Sequence, residues 1–233
     1  MRLAIGDIHG CFKTFRKLIE DIIHLGKSDT LYLVGDYIDR GPESMEVVDY
    51  IIQLKDEGYN LQPVRGNHEE MLIDAYKDQS PENFRLWMMN GAESTLKSYD
   101  IASYSVMGSA SLNELPEHHT SFFKKLPYYI MLDDFIIVHA GINFEAEEPF
   151  SDYRSMVWCR DCENDLIKSK NRIVIHGHTP TPLEELNFHD NMDKEKQINL
   201  DTGCVYKTFT GMGNLTAMDL DSFQIYNAEN IDF

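Results

Sequence analysis

The stretch LYLVGDYIDRG at residues 31–41 decides the fold of this chain. Its first four residues are apolar, as in a buried strand, and a glycine ends the run directly before the charged residues. Chemically active side chains in open α/β sheets gather just beyond the carboxyl ends of strands. The stretch therefore predicts a buried strand that delivers Asp36, Asp39 and Arg40 to a functional site.

Four further apolar runs, at 3–5, 61–64, 135–138 and 173–175, end in the same way. Carboxylate, amide and imidazole groups follow them, and these are ligands that suit Mn, Fe or Zn. Such polar residues are rarely buried without partners, so five strand ends of this kind predict a metal centre. The four further segments are Gly6-Asp7-Ile8-His9-Gly10, Gly66-Asn67-His68-Glu69, His139-Ala140-Gly141 and Gly177-His178-Thr179.

The sequence between the motifs predicts an α/β fold. Apolar residues at helical spacing over 12–25 indicate one helix, and a second begins near Pro42 and ends near Gly58. This β-α-β-α-β opening predicts parallel strands covered by helices. We expect a single domain over 1–233, with two mixed β-sheets packed as a sandwich and helices on the outer faces. Residues 70–126 are predicted to form a mostly helical insert over or beside the site, and later strands are predicted at 128–132, 135–138, 173–175, 197–200, 215–220 and 223–226.

Composition limits the partners of the protein. The 233 residues carry a formal net charge of −18, and nucleic acid and anionic membranes both attract basic surfaces, so neither is an expected partner. No apolar run approaches the length of a membrane span, and the first strand is too short for a signal-peptide core. The cysteines fit a reduced chain better than a disulfide framework, which predicts a cytoplasmic protein; they are Cys11, Cys159, Cys162 and Cys204.

One polar segment and four histidines outside the motifs are expected at the surface. The polar segment from Leu183 to Lys196 predicts an exposed loop or hairpin tip. Four histidines belong to no motif, and for these we expect solvated positions: His24, His118, His119 and His189.

The motif residues can form a centre with two metal ions. Asp7 and His9 are two positions apart, so at an extended strand end they would point to the same side and bind one cation. The carboxylate of Asp36 has two oxygens, enough to bridge two ions. Asn67, His139 and His178 supply neutral ligands for the second ion. We therefore expect two divalent ions, with Mn²⁺ favoured and Fe or Zn as alternatives.

This ligand set predicts hydrolysis of a phosphoric ester. Two neighbouring metal ions can share a hydroxide that attacks phosphorus directly, without a covalent enzyme intermediate. The leaving alkoxide then needs a proton, for which His68 is the candidate acid and Asp39 the group that orients its ring. Arginines bind phosphate oxygens through forked donors, and the candidates are Arg40, Arg65 and Arg160.

The motifs resemble those of the metal-dependent phosphoprotein phosphatase family within the calcineurin-like metallophosphoesterases. They are most similar to its small bacterial and bacteriophage serine/threonine protein phosphatases, from Gly6 through Asp201-Thr202-Gly203. The resemblance implies that His68 and Asp39 form the acid pair and that Arg40, Arg65 and Arg160 bind phosphate. It also implies one metal ion at Asp7, His9 and Asp36, and another at Asp36, Asn67, His139 and His178.

Three functions remain open at this point. The resemblance favours hydrolysis of phosphoserine and phosphothreonine in proteins or peptides, since Asp39-Arg40-Gly41, Arg65 and Glu69 follow the pattern of those phosphatases. The alternative is a symmetrical dinucleoside polyphosphate hydrolase, which cleaves diadenosine tetraphosphate. A metal-binding module without catalysis would leave Asp39, His68 and the arginines unexplained. The roles of the 70–126 insert and of Cys159 and Cys162 are left undecided by the sequence.

The ligand set predicts metal-dependent activity. Exhaustive chelation should abolish hydrolysis of p-nitrophenyl phosphate, and Mn²⁺ should restore it best, because a hard-to-borderline ion suits oxygen and imidazole ligands. The measurement is the rate before chelation, after it, and after each added ion. Full activity in a preparation verified as metal-free would contradict the dinuclear centre.

Overall fold

A computed structural model of the protein describes residues 1–186 and 196–233. Its first sheet has five strands in the order β3-β2-β1-β8-β9. The strands β1, β2 and β3 are parallel, whereas β8 and β9 are each antiparallel to their neighbours. Their bounds are β1 Arg2–Ile5, β2 Thr30–Leu33, β3 Asn60–Pro63, β8 Asn214–Asp219 and β9 Ile225–Glu229.

The second sheet has four strands in the order β4-β5-β6-β7. The strands β5, β6 and β7 are parallel, and β4 pairs with β5 in the antiparallel direction. Their bounds are β4 Tyr129–Met131, β5 Phe135–Val138, β6 Ile173–His176 and β7 Gln197–Asn199.

Alternation along the strands builds the two-sheet core. On β1, Ala4 faces the second sheet, while Leu3 and Ile5 join the cluster that packs against the helices. Tyr32 on β2 likewise lies in the cluster between the sheets, together with Ile137 of the second sheet. Successive side chains of a strand point to opposite faces, so each central strand is buried on both sides. This confirms the predicted fold class: two mixed sheets packed face to face, with helices on the outside.

The helices lie between the strands in sequence. The first helix ends at Lys17 and continues as a π-helical segment over Leu18–Ile23, and residues 70–126 contain α-helices and a 3-10 segment at Gly108–Glu114. The α-helices are α1 Phe12–Lys17, α2 Ser44–Asp56, α3 Asn67–Asp78, α4 Pro81–Met89, α5 Ala92–Ser98, α6 Tyr104–Met107, α7 Glu117–Lys125 and α8 Tyr153–Trp158. No helix among the described residues is long and apolar enough to cross a membrane.

One local prediction differs from the structure, and another is largely untested by it. The last strand begins at Ile225, not at 223, because the Asp219 carboxylate accepts hydrogen bonds from Asp221 and Ser222 and so lengthens the turn. Phe223 also has a φ of 59°, which no strand residue adopts. The loop predicted from Leu183 to Lys196 lies largely outside the described residues, and its first part is a 3-10 turn over Leu183–Glu185.

The prediction that all four cysteines are reduced was wrong for one pair. Cys159 and Cys162 form a disulfide, with their Cα atoms 5.8 Å apart. That separation is in the normal range for a disulfide, and it arises because the chain turns directly after α8. Cys11 and Cys204 are free and buried.

Candidate dinuclear metal centre

Turns after the strands, not extended strand ends, carry the site residues. β1 ends at Ile5, and His9 has a left-handed backbone with a φ of 46°. The expectation that Asp7 and His9 share one side of an extended strand was therefore wrong. Left-handed backbone is costly for residues other than glycine, and it clusters where a site demands it. Five site residues share it: His9, Asp36, Asp39, Arg40 and His178.

The first ligand group is formed by Asp36, Asn67, His139 and His178. The Nε2 of His139 lies 2.9 Å from the Oδ1 of Asn67 and 3.4 Å from the Oδ1 of Asp36. The Nδ1 of His178 lies 3.0 Å from the same Asn67 oxygen and 3.2 Å from His139 Nε2. Four ligand atoms, from residues that follow four different strands, thus lie close together.

Hydrogen bonds fix the tautomer of His139 and leave it unable to donate into this group. Its Nδ1 lies 2.9 Å from the carbonyl oxygen of Val34, which only accepts, so the proton is on Nδ1. Burial lowers the pKa of His139, so the ring is neutral and Nε2 presents a lone pair. Three acceptor atoms, on His139, Asn67 and Asp36, then face one another without a proton between them. A divalent cation would relieve this repulsion, so the residues fit a metal ion.

A second group lies around the other Asp36 oxygen, where His9 is the candidate ligand and His68 the candidate acid. The Nε2 of His9 lies 3.5 Å from the Oδ2 of Asp36, and the Nε2 of His68 lies 3.9 Å from the same oxygen. The Nδ1 of His9 lies 2.9 Å from the carbonyl oxygen of Ile38, so its Nε2 also offers a lone pair. The two oxygens of Asp36 therefore serve different groups, as expected of a bridging carboxylate.

Asp7 is paired with a second carboxyl group. Its oxygens accept a hydrogen bond from the backbone N–H of His178, at 3.0 Å to Oδ2. Asp201 shares a hydrogen bond with Asp7, and burial raises the pKa of Asp201 to about 7. Burial also raises the pKa of Asp7 well above its usual value, whereas the hydrogen bond with Asp7 opposes the rise at Asp201, so Asp7 donates the shared proton and the bond joins the two carboxyl groups. The sequence had shown Asp201 only as part of an Asp-Thr-Gly triplet.

Asp39 and His68 form a buried pair. The Nδ1 of His68 lies 2.6 Å from the Oδ2 of Asp39, and both side chains are fully buried. Burial opposes protonation, yet Asp36 and the hydrogen-bonded Asp39 outweigh it and raise the pKa of His68. The Nε2 of His68 has no hydrogen-bond partner among the described residues, so a donor atom faces the ligand groups.

The helical insert holds Asp39 in position. The indole N–H of Trp87 donates to Asp39 Oδ2 at 2.8 Å, and the hydroxyl of Thr95 donates to Oδ1 at 2.6 Å. Trp87 lies on α4 and Thr95 on α5, so the insert supports the site directly. Sequence reasoning missed both residues; Trp87, one of only two tryptophans in the sequence, was the available signal.

Glu69 holds the turn that carries Asp36. Its carboxylate accepts hydrogen bonds from the backbone N–H groups of Asp36, Tyr37 and Gly66, at 3.0, 2.8 and 2.9 Å. Burial and the charge of Asp36 raise the pKa of Glu69 to about 8, while the bonds from Tyr37 and Gly66 oppose that rise. The role of Glu69 is therefore to fix the backbone around the bridging carboxylate.

The three predicted phosphate-binding arginines have different surroundings. The Nη1 of Arg40 lies 2.7 Å from His9 Nε2, so Arg40 is at the ligand groups. Arg160 is exposed, and its charge helps to lower the pKa of His178, after the larger effect of burial. Arg65 is buried and engaged by other groups: its Nη1 donates to Glu70 at 2.8 Å and to Tyr128 at 3.0 Å, and its Nη2 donates to the carbonyl of Lys124 at 3.1 Å.

Of the four histidines outside the motifs, one is not at the surface and one is not described. His119 is buried, with hydrogen bonds to Asp49 at 2.8 Å and to the hydroxyl of Tyr99 at 2.9 Å, so the expectation was wrong for it. His24 and His118 are exposed as expected, and His189 lies outside the described residues.

A glycine next to Asp36 gives a test of the ligand geometry. A Cβ at Gly66 would lie 2.1 Å from Asp36 Oδ1, whereas a Cβ at Gly26 would approach only the Asp29 side chain, at 3.2 Å. We expect Gly66→Ala to weaken Mn²⁺ binding about 10- to 100-fold, because it displaces the ligand shared by both groups. Calorimetric titration measures this, with Gly26→Ala as the control. Unchanged Mn²⁺ affinity in a folded Gly66→Ala protein would contradict the role of Asp36.

Comparisons with known proteins agree with this geometry. The sequence profile of the calcineurin-like phosphoesterase family matches residues 2–205. The asymmetrical bis(5′-nucleosyl)-tetraphosphatase PrpE of Anoxybacillus flavithermus is 26% identical over 238 residues, covering 92% of this chain and 88% of that protein. A symmetrical bis(5′-nucleosyl)-tetraphosphatase of Buchnera aphidicola is 45% identical, but over 83 residues, which are 34% of this chain and 29% of that protein.

Solved structures show the same fold. A proposed diadenosine tetraphosphatase superposes with a TM-score of 0.66 at 20% identity, covering 100% of this chain and 94% of that one. A protein serine/threonine phosphatase of Saccharomyces cerevisiae gives a TM-score of 0.66 at 18% identity, covering 100% of this chain and 80% of that one. The fold is therefore common to proteins with different substrates. With its profile match over most of the sequence, this chain belongs to the calcineurin-like phosphoesterase family.

Proposed function

We propose that this protein is a metal-dependent hydrolase that cleaves dinucleoside tetraphosphates. The observation that carries the proposal is the match to a bis(5′-nucleosyl)-tetraphosphatase along 92% of this chain. The phosphoprotein substrate expected from the motifs has less support, since the similarity to a serine/threonine phosphatase is one of fold at 18% identity. The match to the symmetrical enzyme covers 34% of the chain, so the long match favours asymmetrical cleavage.

The charge of the whole chain does not oppose an anionic nucleotide at this site. The net charge of −18 is a sum over the surface, whereas binding depends on the field inside the site. Arg40 lies against the ligand groups, and the charge of Arg160 contributes to the lowered pKa of His178 after burial and His139, so two arginines add positive charge near the site. Divalent ions at the two ligand groups would add to this local positive charge.

Six residues would hold two divalent ions, with Mn²⁺ favoured. Such ions, when bound, supply an activated water and charge that stabilises the phosphoryl oxygens. In this structure a donor of Arg40 contacts the Nε2 of His9. One Nε2 lone pair cannot serve both an arginine and a metal ion. With an ion bound to His9, Arg40 would use that donor to bind a phosphate oxygen. The six residues are Asp7, His9, Asp36, Asn67, His139 and His178.

His68 is placed to move a proton. Asp39 accepts from its Nδ1, and Trp87 and Thr95 fix Asp39, so the ring cannot rotate freely. The proton on Nε2 would then pass to the oxygen that leaves phosphorus. The Nη1 and Nη2 donors of Arg65 are bound to Glu70, Tyr128 and Lys124, so Arg65 would connect α3 to α7 instead of binding phosphate.

His68→Asn tests the proton transfer. We expect kcat for diadenosine tetraphosphate to fall about 10²- to 10⁴-fold, the usual contribution of a general acid, with metal content unchanged. The loss should be similar for p-nitrophenyl phosphate, because nitrophenolate and the nucleotide phosphate that leaves the tetraphosphate are both weakly basic. Steady-state kinetics on both substrates, with metal analysis, makes the measurement. The matched control is His118→Asn, at an exposed histidine outside the site; equal kcat in wild type and His68→Asn would show that the acid is another group.

A substrate panel tests the proposed function itself. Under one Mn²⁺ concentration, we expect kcat/KM for diadenosine tetraphosphate to exceed that for a phosphothreonine peptide, a phosphotyrosine peptide and p-nitrophenyl phosphate by tenfold or more. Chromatography of the products should show AMP and ATP, as asymmetrical cleavage requires. Two molecules of ADP would indicate symmetrical cleavage, and a higher kcat/KM for the phosphothreonine peptide would overturn the nucleotide proposal.

A further inference from the structure

A cleft of about 460 Å³ has Arg40 among its lining residues. One wall is the turn between α4 and α5, and the other is the segment that follows Asp201-Thr202-Gly203. Its lining residues are Arg40, Met89, Asn90, Gly91, Val205, Tyr206 and Phe233. One end of the cleft is thus cationic, and the remainder is largely apolar.

Arg40 connects the cleft to the metal centre. On one side its Nη1 lies 2.7 Å from His9 Nε2, and on the other its guanidinium carbon lies 5.6 Å from the centre of the Tyr206 ring. Phe209 packs edge-on against the same ring, with the centroids 5.7 Å apart, and so limits its rotation. A phosphate held by Arg40 would therefore have a fixed aromatic ring as its neighbour.

Large apolar side chains lie exposed along the cleft. Met89 is 78% exposed and Phe233 is 59% exposed. Contact with water is unfavourable for such apolar surface, and a ligand that covered it would stabilise the complex. Methionine adapts to flat, polarizable partners, and aromatic rings stack on the faces of bases. Asn90 donates its amide to the carbonyl of Leu86 and keeps its Oδ1 available as an acceptor.

We propose that this cleft binds the base of a nucleotide substrate, between Tyr206 and Met89, while Arg40 holds the phosphate next to the nucleoside. The inference rests on the proposed function and adds the part of the site that distinguishes nucleotides from other phosphoric esters. The match of shapes supports it, because in a 5′-nucleotide a single ribose separates a flat, weakly polar base from an anionic phosphate. In the cleft, likewise, the cationic Arg40 is next to the apolar side chains.

The test compares two ligands that differ only by the base. AMP and ribose 5-phosphate are titrated into the Mn²⁺-loaded protein by calorimetry, and both are checked for integrity afterwards. Stacking on one side chain contributes to base binding, so we expect AMP to bind at least about fivefold more tightly than ribose 5-phosphate. Tyr206→Ala and Met89→Ala should reduce this ratio toward one, whereas Tyr206→Phe should keep it.

Controls separate base recognition from general damage. The affinity for ribose 5-phosphate reports whether Arg40 still binds phosphate in Tyr206→Ala, and it should change little. Val106→Ala alters an apolar residue that is 88% exposed and does not line the cleft, so it should leave both affinities unchanged. Equal affinities of AMP and ribose 5-phosphate in the wild-type protein would overturn the inference, as would a ratio that Tyr206→Ala and Met89→Ala leave intact.

The outcome is distinguishable from failure of the proposed function. If AMP binds preferentially but diadenosine tetraphosphate is not hydrolysed, the base site stands and the proposed substrate is wrong. If the tetraphosphate is hydrolysed without base preference, the function stands and the cleft is not the base site. If Tyr206→Ala instead weakens binding of a phosphothreonine peptide with apolar neighbours, and AMP shows no preference, the cleft binds peptide and the inference is wrong.

Discussion

The structure depends on the close approach of acceptor atoms around Asp36. His139, Asn67 and Asp36 present lone pairs to one another at 2.9 and 3.4 Å, an arrangement that is unfavourable without a cation between them. The surrounding fold forces this approach. Glu69 binds the backbone of the turn that carries Asp36, and Gly66 leaves room for the carboxylate where any Cβ would collide with it. The fold thus positions the candidate ligand atoms, which is how proteins achieve fixed coordination geometry.

The proposed catalytic pair, His68 and Asp39, depends on a different part of the chain. Asp39 leaves the β2 turn only three residues after Asp36, yet its partners Trp87 and Thr95 come from the helical insert. The ring of His68 is therefore held by the sheet and by the insert together. A change in α4 or α5 would alter the proposed proton transfer from His68 without changing a metal ligand. The same helix α4 ends at Met89, which lines the cleft beside Arg40.

Arginines in adjacent motifs illustrate how environment decides the role of a residue type. Arg40 stays at the centre, where its guanidinium lies between His9 and Tyr206. Arg65 precedes a metal-ligand motif just as closely, but its guanidinium lies 4.6 Å from the centre of the Tyr128 ring and its donors are bound by Glu70 and by carbonyl groups of α7. A buried guanidinium with its charge paired to a carboxylate contributes to packing and cannot easily turn toward a substrate.

The sequence by itself determined the fold class, the strand ends that carry the site and the residue types that converge there. It could do so because apolar runs that break at glycine before Asp, His or Asn have few structural explanations. Only the tertiary structure decided how these residues meet. It replaced an extended Asp7–His9 pair by left-handed turns, bound the Nη donors of Arg65 to protein partners, joined Cys159 to Cys162 and brought Trp87, Thr95 and Asp201 to the site. The physical reason is that hydrogen bonds and packing between segments far apart in sequence fix side-chain direction, which no local pattern encodes.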